Sequence, residues 1–158
     1  MNLKNEPDQN KRLVLEHYRA TVSEMDFAAI RRQLSPNFVD HESPPGTPVG
    51  PEWVTHHVAS FHAAFPDLQV EIHELIAERD LVAVRATWSG THKGDYMGFP
   101  ATHRKFQLKG IVIWRVQEGR IVERWGCLDR LGLLQQLGLT APSPAYDFEQ
   151  HSNVGARQ

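Results

Sequence analysis

Nine histidines and one cysteine stand in this chain, so imidazole proton transfer is the chemistry its side chains offer first; a free imidazole titrates near ~6.5. His92, in Trp88-Ser-Gly-Thr-His-Lys-Gly94, continues the even positions 82, 84, 86, 88 and 90 of an alternating run. It is therefore expected to point where that run's apolar side chains point. At the rim of an apolar concavity such a ring acts as acid, base or hydrogen-bond donor. The plainer reading is a histidine that ties down the loop after it. His41 and Glu42 open a Pro/Gly-rich loop after Asn37-Phe-Val-Asp40, a common place for a catalytic group; the plainer reading is a turn in which Asp40 serves the backbone. Arg124 and Asp129, at the end of one strand and the start of a helix, are candidate electrostatic or orienting partners, although an Asp at a helix start is most simply a cap.

His56, His57 and His62 look like a metal cluster. Adjacent helical residues point about 100° apart, and no His-x-x-x-His pair occurs, so no metal site is expected. His57, one turn from both Trp53 and Phe61, is expected to face a cavity; His56 and His62 are expected to be solvated. Trp88 and Trp114 fall on the apolar faces of two strands. With Tyr18 and Phe61 they are either plain core or the lining of a pocket for a small hydrophobic or cyclic molecule. No Gly-rich phosphate loop or Gly-x-Ser-x-Gly elbow is present. Cys127, with no neighbouring His or Lys in sequence, is read as structural.

The elements that must hold these residues fit one domain. The chain has 158 residues, 41% hydrophobic and 23% charged, with a formal net charge of −2. That is globular composition without the basic excess of a nucleic-acid binder. No apolar run approaches the ~20 residues of a membrane span, and the first residues lack the apolar stretch of a signal peptide. One cysteine forms no internal disulfide, which fits the cytoplasm.

Val14, Tyr18 and Val22 make a helical stripe within residues 10–23. Asp26 caps a second helix carrying Phe27, Ile30 and Leu34, ended by Ser35-Pro36. Pro51 opens a third, with Val54, Val58, Phe61 and Phe65 on its apolar face. The period then changes to 2. Leu68, Val70, Ile72 and Ile76 share one side of the first strand, with Glu74 the exception. Val82, Val84, Ala86 and Trp88 follow on the next strand, then Phe106 to Val116 on a third. Gln117-Glu-Gly-Arg120 turns into a last strand, 121–128, before a short helix, 131–137, stopped by Gly138. Helices followed by a strand meander with one apolar face make an α+β layout, N-terminal helices packed on a curved, mainly antiparallel sheet. The odd positions Ile111, Ile113, Ile121 and Trp125 are too apolar for a sheet face left in water, which points to a homodimer through that face. Residues 1–140 form the domain; 141–158 lack periodicity and read as a tail, in which Tyr146 and Phe148 could dock on the body.

Gly90-Thr-His-Lys-Gly-Asp-Tyr-Met-Gly-Phe-Pro-Ala-Thr102, Gly119-Arg-Ile-Val-Glu-Arg-Trp125, Asp129 and Leu133-Leu-Gln-Gln-Leu-Gly138 together resemble the SnoaL-like polyketide cyclase family, as do Phe61-His-Ala-Ala-Phe-Pro-Asp67 and Ile76-Ala-Glu-Arg-Asp80. The resemblance covers roughly residues 10–140. It implies a cone-shaped α+β barrel, shared with ketosteroid isomerase, a pocket between helices and sheet, commonly a homodimer, and acid/base catalysis without a cofactor. The founding cyclases use an Asp on the last strand and a His on the strand before. Counting back from the terminal Gln-Leu-Gly, these positions fall on Gly126 and Val112, which transfer no protons. The expectation is therefore a cofactor-free cyclase, isomerase, dehydratase or hydrolase. His92 and His41 are its proton-transfer candidates, Asp129 and Arg124 its partners, and Tyr18, Trp53, His57, Phe61, Trp88 and Trp114 its pocket. The alternative is a non-catalytic small-molecule-binding module of the same fold.

Overall fold

The computed structural model describes residues 6–141; the tail read over 141–158, apart from Ala141, lies outside them, Tyr146 and Phe148 included. Helix α1 (Glu6–Tyr18) buries Val14, His17 and Tyr18, then widens into a π-helical turn, Arg19–Glu24, that buries Ala20 and Val22. Asp26 caps α2 (Phe27–Gln33) by accepting from the Ala29 amide at 2.9 Å. Leu34 is not a helical residue but the extended start of β1 (Leu34–Asp40). Pro36, which lacks an amide donor, sits where the register slips between Leu34 and Val39, so this edge strand carries no period-2 signature. A proline-rich loop leads to α3 (Pro51–Ala64) through Gly50, whose φ of 99° and approach to the Pro36 carbonyl exclude a side chain.

Strands β2 (Gln69–Glu78), β3 (Leu81–Thr91), β4 (Lys105–Gln117) and β5 (Arg120–Leu128) form an antiparallel run, and β1 adds in parallel to β5, giving the order β1-β5-β4-β3-β2. Helix α4 (Arg130–Leu137) follows, capped by Asp129 and stopped by Gly138 at φ 74°. The helices cover the inner sheet face. Val82, Val84, Val112, Trp114 and Val116 are buried there with Ile30, Leu34, Phe65, Leu133 and Leu137. The even faces of β3 and β4 are thus as alternation requires, except that Trp88 is only half-buried.

Two β-bulges correct the reading elsewhere. In β2 the register slips between Ile72 and Glu74, so Leu75 and Ala77 pair with inward Val84 and Val82, and Ile76 turns out to 66% exposure. Glu74 then lies outside and pairs with Arg85, which explains its break in the apolar pattern. In β5 the slip lies beside Val122: Ile121 pairs with inward Val116 and is fully buried, not on the outer face. That face keeps exposed Ile111 and Ile113, half-buried Trp125, and Cys127, which is exposed and paired across from Ile111 rather than structural. A homodimer through this face would hide Ile111, Ile113 and Trp125 but not Ile121. Among the described residues no helix is long and apolar enough to cross a membrane.

Candidate active site

The inward positions of β5, Arg124, Gly126 and Leu128, are all partly open to solvent although they lie on the face the helices cover. The helical layer therefore leaves β5 accessible, and α3 packs against its neighbouring edge strand β1. Along α3 the rings run one turn apart: Trp53 stacks on His57 (centroids 5.7 Å), His57 on Phe61 (5.8 Å), and Phe61 meets Phe65 at 4.7 Å. Tyr96, from the β3–β4 connection, closes this row against Phe61 and Phe65 at 5.9 and 5.0 Å. A hollow of about 30 Å³, enough for a water molecule, opens at the Asp40–Trp53 corner.

Arg124 is the floor's charge. Its Nη1 donates to Asp40 Oδ1 at 2.8 Å, with only 15% and 16% of the two side chains exposed, and its guanidinium lies 5.6 Å over the Trp114 ring. A Cβ at Gly126 would stand 2.9 Å from Arg124 Nη2. The missing side chain is what makes room for the guanidinium. A carboxylate introduced at 126 would meet that cation, which lowers a carboxyl pKa, rather than bare apolar walls, which would raise it.

His57 is reached by solvent, yet burial, then the Arg124 charge, lowers its pKa below the ordinary imidazole value. The ring stands in the row between Trp53 and Phe61, and both effects favour its neutral form. Deeper in, Trp114 Nε1 donates to Tyr18 Oη at 3.3 Å, and Tyr18 packs 6.0 Å from Trp88. Burial pushes the Tyr18 phenol up to about 12, so it stays protonated.

The sequence reading missed two members. Asp40 was read only as a turn residue. It does accept from the Glu42 amide at 3.0 Å, but the same oxygen takes the Arg124 bond. His17 was not singled out. It is buried edge-on to Trp114 (5.2 Å), with Nδ1 2.9 Å from Gln33 Oε1. Its place three residues after Val14, beside Tyr18, already lay within the apolar stripe and was the available signal.

Burial lowers the His17 pKa to about 4. The folded ring therefore stays neutral while the unfolded chain gains a proton below about 6.5, so stability is complete above that pH and falls as pH drops from about 6.5 to about 4. The pH dependence of urea midpoints should be shallower over that window in His17→Gln than in wild type. Equal slopes would contradict the burial.

The structure does not bring the other candidates into this cleft. His92 is fully buried beneath Phe65 and Tyr96; its Nδ1 accepts from the Thr102 amide at 3.2 Å and lies 3.0 Å from Thr102 Oγ1, so the ring pins the 93–103 loop and presents no surface to a substrate. That is the loop-tying reading, and the even parity is correct while the accessibility is not. His41 lies on the outer side of the sheet, stacked 4.8 Å on Trp125 with Nε2 2.9 Å from Glu123 Oε2. The reason is register: Asp40 pairs with inward Arg124, so the next residue points outward. Asp129 accepts from the Gly132 amide at 2.9 Å as the α4 cap. His62, expected to be solvated, holds the Thr21 carbonyl from Nε2 at 2.9 Å.

The positions counted for the cyclase Asp and His, Gly126 and Val112, are cross-strand partners on this same inner face. The comparisons agree on the family. Aklanonic acid methyl ester cyclase DnrD of Streptomyces peucetius is 33% identical over 97 residues, 60% of this chain and 66% of its own length. The cyclase of the same name DauD, from Streptomyces sp. (strain C5), is 27% identical over 139 residues, 87% of this chain and 84% of its own. The solved structure of TsrD from Streptomyces laurentii superposes with a TM-score of 0.76 at 28% identity, covering 84% of this chain and 97% of TsrD. The model of the SnoaL-like polyketide cyclases matches residues 12–137, nearly the whole of the described α+β body, helices, sheet and cleft alike, and by that match this chain belongs to the SnoaL-like polyketide cyclase family.

Proposed function

We propose that this chain enolises a small cyclic or polyketide-like ketone in the α3–β5 cleft, and closes or isomerises a ring, by acid/base chemistry that needs no cofactor. The observation that carries the reading is a partly open guanidinium, Arg124, whose charge reaches the solvent-exposed imidazole of His57 in the aromatic row of α3. Removing a proton next to a carbonyl moves an electron pair onto the carbonyl oxygen. A fixed cation and a neutral N–H donor held in place by the fold stabilise that oxyanion without reorganising. The aromatic row from Trp53 to Phe61, with Tyr96, suits a flat ring system. Two relatives carry the name of cyclases of a methyl ester, which supports a β-keto methyl ester as the first substrate class to try.

The test needs no pathway knowledge. In D2O the protein should accelerate deuterium uptake at the α-carbon of an aromatic β-keto methyl ester, followed by NMR. His57→Ala should slow this by about 10²- to 10³-fold, the usual cost of one oxyanion donor. Gly126 and Val112 favour a second reading, a binding module of the same fold without proton-transferring groups. Saturable binding of the ester with no exchange above buffer would establish that reading and defeat the enzymatic one.

A further inference from the structure

Among the described residues, His92 Nε2 is the one buried side-chain nitrogen or oxygen with neither a hydrogen bond nor a counter-charge. Arg115 Nε also lacks a hydrogen bond, but it lies 3.3 Å from the Asp80 carboxylate. The other ring nitrogen fixes what stands at Nε2. The Thr102 amide donates to Nδ1 at 3.2 Å, and an amide N–H only donates, so the neutral ring carries its hydrogen on Nε2. Turning the ring over would forfeit both contacts with Thr102. A buried donor left unpaired costs free energy and calls for an explanation. We propose that this N–H is the hydrogen-bond donor for a carbonyl oxygen of a flat aromatic ligand, covered by the Tyr96 ring until the ligand displaces it.

The donor lies at the end of the aromatic row. The His92 amide extends the β3–β4 ladder by donating to the Arg104 carbonyl at 2.9 Å, so its side chain keeps the inward direction of the even positions. The ring lies 5.6 Å from Phe65 and 6.3 Å from Tyr96, and both of these meet Phe61, the neighbour of His57 in the row. Phe65 is fully buried, whereas Tyr96 is half-exposed and is the cover that can leave. Its hydroxyl bonds to nothing among the described residues. Met97 and Phe99 beside it are 71% and 41% exposed, which leaves the ring room to turn outward. The backbone need not follow: two 3.0 Å bonds join Tyr96 to Phe99, and the Lys93 and Gly94 amides hold the Ala64 carbonyl. A nitrogen that only donates selects an acceptor, and an aromatic ketone or quinone brings one on a ring that stacks. The proposal deepens the enolising reading and rests on it in one respect, that the bound carbonyl is a second one of the substrate, apart from the oxygen held by Arg124 and His57.

Fluorenone and fluorene are matched probes, the same flat rings with and without a carbonyl. Fluorenone has no α-hydrogen, so its binding is read apart from enolisation. In wild type, fluorenone should shift the His92 Hε2 NMR signal downfield, and fluorene should not. His92→Asn keeps an acceptor for the Thr102 amide but has no distal donor; it should lose about three- to tenfold of the affinity for fluorenone and none of that for fluorene. Tyr96→Ala should speed exchange of Hε2 with D2O by at least about tenfold, by removing its cover. An Hε2 signal that fluorenone leaves in place overturns the proposal, and it decides alone if His92→Asn does not fold. So does a His92→Asn variant that binds fluorenone as wild type does, or that weakens both probes equally, which is what a purely loop-tying histidine predicts. Unchanged Hε2 protection in Tyr96→Ala overturns the gate. Fluorenone held at His92 by a protein that exchanges no proton of the keto ester leaves the donor site standing and defeats the enolising reading; exchange with an unresponsive Hε2 does the reverse.

Discussion

Trp114→Ala is expected to lower the unfolding free energy by about 3–5 kcal/mol, the cost of deleting a packed aromatic from a core. Trp114 is 6% exposed on β4, edge-on to His17 at 5.2 Å and to Tyr18 at 5.9 Å, with the Arg124 guanidinium 5.6 Å over its ring. Each of these neighbours is polar at one end and apolar at the other, and the indole is what they share. Its loss would open a cavity and free Tyr18 Oη from the bond it accepts from the indole. Trp114→Phe separates the two effects: it keeps most of the packing and drops the indole N–H, for about 1 kcal/mol from the hydrogen bond. Urea unfolding measures both. A cost below about 1 kcal/mol for the alanine variant would mean that the ring is not packed as described.

Arg124→Met is expected to act on both chemistry and stability. Exchange should fall by about 10²- to 10³-fold, since the substitution removes the fixed charge at the developing oxyanion. Stability should fall by somewhat less than the ~3–5 kcal/mol that follows from breaking a fully buried ion pair, because the Asp40 carboxylate left behind keeps some contact with water. A third effect identifies the site. Arg124 is one of the causes that hold the His57 pKa down, so the His57 titration followed by NMR should move up toward the ordinary imidazole value. Arg124→Lys keeps the charge but loses the planar fork that bridges Asp40 and the space over Gly126. It should restore the His57 titration more fully than the exchange rate. An unmoved His57 titration in Arg124→Met would place the two groups too far apart to share a substrate oxygen.

The sequence by itself determined what depends on near neighbours. Alternation along β3 and β4 identifies the inner face from Val82 to Ala86 and from Phe106 to Val116, because side-chain direction in an unbroken strand repeats every two residues. Asp26, Asp129 and Gly138 mark helix ends, since caps are bonds between residues only a few positions apart. The motifs from Gly90 to Thr102 and from Leu133 to Gly138 carry the family. Tertiary structure alone decided three things. The bulges at His73 and beside Val122 sent Ile76 out and Ile121 in, because an extra residue reverses parity and only the partner strand shows that it is extra. The buried positions of His17 and His92 depend on packing from distant segments: a histidine's protonation and reach are set by what desolvates it, not by its neighbours in sequence. The pairing of Arg124 with Asp40 joins residues 84 positions apart. It exists because β1 lies parallel beside β5, and because Gly126 leaves the guanidinium a space that no local pattern could reveal.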